Sequence, residues 1–266
     1  MASDSDTSTL IGRQPVLEAL ERDDLGIEKV MLQQGASGSR IGEIRSLAQN
    51  RGAPVQYVPE ARLKHEADGA AHQGVVAITA PLRYREVDEM LSEIAGTWSE
   101  VKARSPLLLV IDRVTDPRNF GALLRSAVAA GTDGVVVPTR EMAPLNAAAM
   151  KASAGTAPRI PIARTDDLPR VLTQLKERGY WVCGAEGTAE TTLWDVDWDR
   201  PMAVVLGSEG EGLAPDVAEA CDELVAIPMR GPAESLNVSV AAGLLLFAAA
   251  RPRMASADAE PRPSSS

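Results

Sequence analysis

The sequence predicts an α/β protein built on a parallel sheet, with a smaller α/β unit ahead of it. Three observations carry that expectation. From residue 107 onward, short apolar runs alternate with helical segments across Gly, Pro and Asp turns, the grammar of strands joined by crossover helices. The first run, LLLVID at 107–112, is apolar until its last residue, as strands covered on both faces are. A chain of 266 residues that is 45% hydrophobic buries one or two cores without staples.

Residues 10–80 read as the smaller unit, behind a polar tail at 1–9 expected to be disordered. LIGRQPVLEALERD has helical spacing at Val16, Leu17 and Leu20, KVMLQ is a short strand, and IGEIRSLAQNRG is a helix ending at Gly52. PVQYVP and GVVAITA supply two more strands. A linker with an acidic helical segment from about Glu86 to Arg104 fills 81–105 and ends at the Ser105-Pro106 break, which marks a domain boundary.

The second domain spans 106–251. Its strands are LLLVID, GVVVP (134–138), PRIPIAR, YWVCGAE, MAVVLG (202–207) and ELVAIPM, the last ending near 229. Its helices are FGALLRSAVAAG, LNAAAMKASAGT, LPRVLTQLKERG and SLNVSVAAGLLLFAAA (235–250). The Pro/Ser/Ala-rich remainder, 252–266, is expected to be disordered.

Composition excludes several classes. The chain opens on the polar MASDSDTST and contains no apolar run of membrane-spanning length, so neither a signal peptide nor a span is expected and the location is cytoplasmic. Cys183 and Cys221 form no CxxC, and His65 and His72 are the only histidines, too few for a disulfide scaffold or a metal site. Against 27 Lys and Arg stand 37 Asp and Glu, a net charge of −10, which by itself opposes a polyanionic partner. The balance reverses between Arg40 and Arg85, with seven basic residues against four acidic ones. That stretch is either an ordinary solvated face or a phosphate grip.

In open parallel sheets ligands sit at the carboxyl ends of strands. Three ends stand out here: DRVTDPRNFGALLR at 112–125, LGSEGEGL at 206–213 and IPMRGPAESLNVS at 227–239. The glycines at 207, 210 and 212 do not follow the dinucleotide order G-x-G-x-x-G. GSEG also lacks the G-x-S-x-G elbow, and no histidine lies in this domain, so a hydrolase triad is unsupported.

These three segments resemble, in order, the three motifs of the SpoU (TrmH) family, the RNA ribose 2′-O-methyltransferases of the SPOUT superfamily. NFGALLR at 119–125 resembles the first, VVLGSEGEGL at 204–213 the second and IPMRGPAESLNVSVA at 227–241 the third. The N-terminal part resembles the family's L30e-like substrate domain. GRQPVLEAL at 12–20 and HQGVVA at 72–77 most resemble the RlmB type, which methylates a guanosine of 23S large-subunit rRNA.

The resemblance implies a parallel sheet whose last part, about 203–240, threads into a deep trefoil knot, an exception to the rule that chains do not thread loops. It implies S-adenosylmethionine bound by Ala185, Glu186, Gly187, Leu206, Gly207, Gly212, Ile227, Met229 and Leu236, with no metal. Around the ribose hydroxyl it places Asn119, Arg125, Glu209, Ser235 and Asn237, with Ser239 beside them. Arg125 then positions phosphate and 2′-oxygen through a forked hydrogen bond, and is no base because a guanidinium stays protonated. Asn119 and Glu209 orient it and one another, while Ser235 and Asn237 fix their loop. The implied partners are rRNA and a second copy of the chain, joined through the knotted domain. The alternatives are a tRNA target, a ribosomal position whose methylation confers antibiotic resistance, and an inactive RNA-binding ribosome-assembly protein on the same fold.

Overall fold

The computed structural model describes residues 8–22, 27–67, 69–79, 84–232 and 235–259. The chain divides into two compact units, residues 1–83 with 145–159, and 84–144 with 160–266. The tails expected at 1–9 and 252–266 are described only at Ser8–Thr9 and up to Ala259.

In the first unit β1 (Ser8–Ile11), α1 (Arg13–Arg22), β2 (Ile27–Gln33), α2 (Ser39–Asn50), β3 (Val55–Val58), α3 (Glu60–Glu66) and β4 (Val75–Thr79) follow one another. The sheet order is β1-β4-β2-β3. Only β2 and β3 run parallel, and β4 lies antiparallel to both of its neighbours. The run from Leu10, expected as helix, begins instead as β1, because Leu10 and Ile11 pair with Ala77 and Val76. Gly12 at φ 102° then turns the chain into α1, a conformation open to glycine at little cost. The helix α3 was not expected. It buries Leu63 and is laced by Glu60–Lys64 and Arg62–Glu66 pairs, each four apart as helix neighbours are.

The second unit opens with β5 (Arg85–Glu86), α4 (Val87–Ile94) and α5 (Trp98–Arg104). The acidic stretch expected as one helical segment is thus two helices and an edge strand. They are separated at Ala95–Gly96, and Thr97 starts α5 with a capping box closed by Glu100, a local stop-and-start signal. Then come β6 (Leu107–Ile111), α6 (Pro117–Ala129) and β7 (Gly134–Pro138). Residues 145–159 cluster with the first unit and carry α7 (Ala147–Ala152) and a 3-10 turn, Ala157–Arg159. The second unit resumes with β8 (Ile162–Thr165), α8 (Leu168–Glu177), β9 (Trp181–Ala185), β10 (Thr191–Thr192), β11 (Met202–Leu206), α9 (Pro215–Ala220), β12 (Glu223–Ala226) and α10 (Val238–Ala259).

All eight strands pair in parallel in the order β10-β12-β9-β11-β6-β7-β8-β5. The two central strands, β6 and β11, are buried at every position. From β6 the chain moves outward through β7 and β8, then crosses to the other side for β9. That reversal places the carboxyl ends of β6, β11, β9 and β12 together, where open sheets bind ligands. The expected last strand stops at Ala226 rather than 229, and Pro228 has no N–H with which to extend the ladder. Helix α10 runs on to Ala259 with Pro252 inside it, past the expected end at 250. Arg253 ties this extension down by donating to the carbonyls of Ser105, Trp198 and Arg200. Among the described residues no helix is long and apolar enough to cross a membrane.

Candidate active site

A cleft of about 300 Å³ opens at the carboxyl ends of β9, β11 and β12, within the size range of small-ligand sites. Ala185, Glu186, Gly187, Leu206, Gly207 and Gly212 line it, as do Ile227, Met229 and Leu236. The structure thus brings all nine residues expected to hold a cofactor to one place. Glu209 and Ser235 reach the same cleft.

The floor is the turn after β11. Ser208 N donates to Gly212 O at 3.0 Å and Gly212 N returns the bond to Ser208 O at 3.2 Å. Gly210 and Gly212 sit at φ 91° and 69°, where a Cβ is costly. A Cβ on Gly207 would lie 2.1 Å from the carbonyl carbon and oxygen of Gly212, so only glycine fits.

Two residues at the end of β6 hold this turn, and sequence reasoning did not single them out. Buried Asp112 accepts from Ala214 N at 2.8 Å. Arg113 donates to Glu211 at 3.1 Å and to Gly212 O at 3.4 Å, and pairs with Asp112 at 3.3 Å. Burial disfavours its charge, yet Asp112 and Glu211 outweigh that and hold the guanidinium above its ordinary pKa. Arg113 occupies φ 56°, strained for a side-chain-bearing residue. The only sequence signal was a carboxylate closing an apolar strand.

Beside the cleft three distant segments meet. Asp116 caps α6 by accepting from Arg118 N at 2.7 Å, with Pro117 in the first turn, which sets Asn119 at the helix start. Asn119 Nδ2 donates to Glu209 Oε1 at 2.8 Å, and Asn237 Nδ2 donates to the same oxygen at 2.6 Å. Val238 N adds a third donor at 3.4 Å, and Asn237 Nδ2 also reaches Asn119 Oδ1 at 3.1 Å. Ser239 donates through N and Oγ to Asn237 Oδ1 at 3.0 and 2.5 Å. One carboxylate oxygen is thereby fully used, while Glu209 Oε2 has no partner among the described residues.

The other two expected reaction-site residues stand apart from this network. Ser235 is exposed at the cleft edge and makes no hydrogen bond among the described residues. Arg125 is exposed, and among the described residues it makes no hydrogen bond or ion pair. Six residues beyond Asn119, it lies roughly 9 Å further along α6.

Among the described residues, three of the seven cations in the basic stretch pair with carboxylates. Arg62 pairs with Glu66 and Lys64 with Glu60, both at 2.8 Å. Arg85 pairs with Glu93, and Arg51 donates to Glu21 O. Arg40 and Arg45 remain exposed on α2, while Arg83 lies outside the described residues. No group of three or more His, Cys, Asp or Glu side chains able to hold a metal occurs among the described residues.

The cleft fits S-adenosylmethionine in its chemistry. Leu206, Val225, Ile227 and Leu236 offer apolar walls, Gly207 lets the backbone come close, and the Glu186 and Glu209 carboxylates face a site for a cationic sulfonium.

Comparison with known proteins assigns the family. Residues 106–247 match the SpoU rRNA methylase family, and residues 9–85 match the RNA 2′-O ribose methyltransferase substrate-binding domain. The chain is 39% identical to the 23S rRNA (guanosine-2′-O-)-methyltransferase RlmB of Photorhabdus laumondii, over 92% of this chain and 98% of that one. It is 38% identical to a TrmH-family tRNA/rRNA methyltransferase of Bacillus subtilis, over 92% and 95%. The fold superposes on an S-adenosylmethionine-bound rRNA methyltransferase from Sinorhizobium meliloti with a TM-score of 0.76 and 25% identity, covering 92% of this chain and 87% of that one. The chain belongs to the SpoU family, and it is an S-adenosylmethionine-dependent RNA ribose 2′-O-methyltransferase.

Proposed function

We propose that the substrate is large-subunit rRNA and the target a guanosine ribose. The RlmB-like segments at 12–20 and 72–77 and the 39% identity to an RlmB support this reading over a tRNA or a resistance site. In this reading residues 10–80 form the RNA-binding domain, 81–105 the connection and 106–251 the methyltransferase domain. The carboxy-terminal part threads into a deep trefoil knot over about 203–240, in keeping with the family and with β12 lying between β10 and β9. The chain acts as a homodimer in the cytoplasm. Val240, Leu244 and Phe247 favour the dimer, being 50%, 42% and 45% exposed along one face of α10, where spacings of four and three align side chains.

The observation that carries the mechanism is the Asn119–Glu209–Asn237 cluster at the rim of the cleft. S-adenosylmethionine supplies an electrophilic methyl group when bound by the nine cleft residues. Glu209, with one oxygen fixed by three donors, presents Oε2 to the ribose hydroxyl and turns an oxygen lone pair toward the cleft. Asn119 and Asn237 keep that carboxylate in place, and Ser239 keeps Asn237 in place. Arg125, without a hydrogen bond or ion pair among the described residues, grips the flanking phosphate through its fork, with Ser235 at the loop edge. Such positioning supplies much of the rate when the attacking hydroxyl is a weak nucleophile.

Mapping ribose methylation across the rRNA of a strain lacking this gene tests the target: one guanosine loses its methyl group and regains it on complementation. An unchanged map refutes the assignment. Arg125→Ala is expected to abolish methyl transfer while calorimetry finds S-adenosylmethionine bound as before, and retained turnover removes Arg125 from the mechanism.

A further inference from the structure

The N-terminal unit holds a second pocket, of about 350 Å³, between the turn after β2 and the turn before β4. Its polar side chains are Arg13, Gln33, Gln34, His72 and Gln73. Among the described residues no carboxylate lines it, although acidic residues outnumber basic ones 37 to 27 in the chain.

The frame is fixed by main-chain bonds. Gln33 N donates to Gly74 O at 2.9 Å, and Arg13 Nε donates to Gln73 O at 2.9 Å. Gln73 is held at φ 51°, a strained conformation of the kind that collects at functional sites. Gly74 N donates to His72 Nδ1 at 3.0 Å, so a neutral ring carries its proton on Nε2. That Nε2 has no hydrogen-bond partner among the described residues, and neither do the carboxamides of Gln33 and Gln34. Gln73 uses only Oε1, toward Arg13 N at 3.4 Å.

We propose that this pocket takes one unpaired nucleobase of the RNA and reads its edge. The inference extends the RNA-substrate reading above and rests on it. A carboxamide sets a donor beside an acceptor, as base edges do, whereas a phosphate presents acceptors alone and would meet the amide oxygens unfavourably. Sequence-specific RNA recognition works on unstacked bases of this kind. Arg13, whose terminal nitrogens have no partner among the described residues, contacts the phosphate next to that base. Among the described residues, three of the seven 40–85 cations already face a carboxylate, so uncharged readout accounts for specificity here and the remaining exposed arginines, Arg40 and Arg45, for attraction.

The test uses the full chain with S-adenosylmethionine, on large-subunit rRNA and total tRNA from a strain lacking this gene. Gln34→Met keeps length and removes the amide, and Gln73→Asn shortens the amide while tolerating the left-handed backbone. Each is expected to raise KM for the methylated RNA by about tenfold or more. Each should also abolish protection of one unpaired base edge from chemical probing, with S-adenosylmethionine affinity unchanged. Arg13→Gln should instead weaken binding and reduce its salt slope by about one. Wild-type KM and protection in both glutamine variants overturn the proposal, as does a loss that tracks salt alone. Methylation of tRNA in place of rRNA overturns only the target reading, since the pocket is then scored on tRNA.

Discussion

Replacing Gly207 with alanine isolates the turn that floors the cleft. The added Cβ would stand 2.1 Å from Gly212 C and O and 2.4 Å from Leu213 N, so residues 208–213 must retreat by about 1.5 Å to reach ordinary contact. Overpacking of that degree costs about 1–3 kcal/mol. The retreat also loosens the paired Ser208–Gly212 bonds and the Arg113 bond to Gly212 O, at about 1 kcal/mol each. Holding the turn in its binding geometry then costs at least about 2.7 kcal/mol, which lowers affinity for S-adenosylmethionine about 100-fold or more. Gly210→Ala is the comparator, since its φ is also positive but its Cβ would meet nothing within 4 Å. It should cost only the backbone strain, about 1 kcal/mol. Calorimetric titration of both variants, with thermal unfolding to verify folding, decides the matter. Wild-type affinity in Gly207→Ala, or equal losses in the two variants, refutes the steric argument.

Asn119→Ala removes a donor to Glu209 and the acceptor for Asn237, and should lower kcat about 100-fold with little change in cofactor affinity; single-turnover methyl transfer beside calorimetry checks the split. Leu244→Asp combined with Phe247→Asp on α10 should convert a dimer to a monomer in analytical ultracentrifugation, and a monomeric parent protein would remove the premise. Burial pushes the Cys183 and Cys221 thiols up to about 12 from 9.0, so in the native protein neither should react with iodoacetamide at pH 8, while both should in denaturant. Because the folded state holds these protons more tightly, stability is complete below pH 9 and falls as pH rises from about 9 toward 12. A Cys183→Ala, Cys221→Ala double variant should lose part of that alkaline slope in pH-dependent unfolding.

Sequence by itself determined the parts encoded by local period and local turns. Alternation from 107 onward gave a parallel sheet, and three motif segments at strand ends gave a site, because strand ends are where such a sheet leaves backbone exposed to a ligand. Tertiary structure decided whatever depended on a partner far away in the chain. β1 is a strand only because β4 pairs with it, and the two-residue β5 only because β8 does. α3 and α9, of seven and six residues, are too short to announce themselves by period and exist by packing. The Asp112 and Arg113 clamp on the turn 99 residues later was invisible for the same reason. So were the ion pairs of Arg62, Lys64 and Arg85 in the basic stretch. Charge along a sequence says which ions are present, and only folding determines which of them already face a counter-ion.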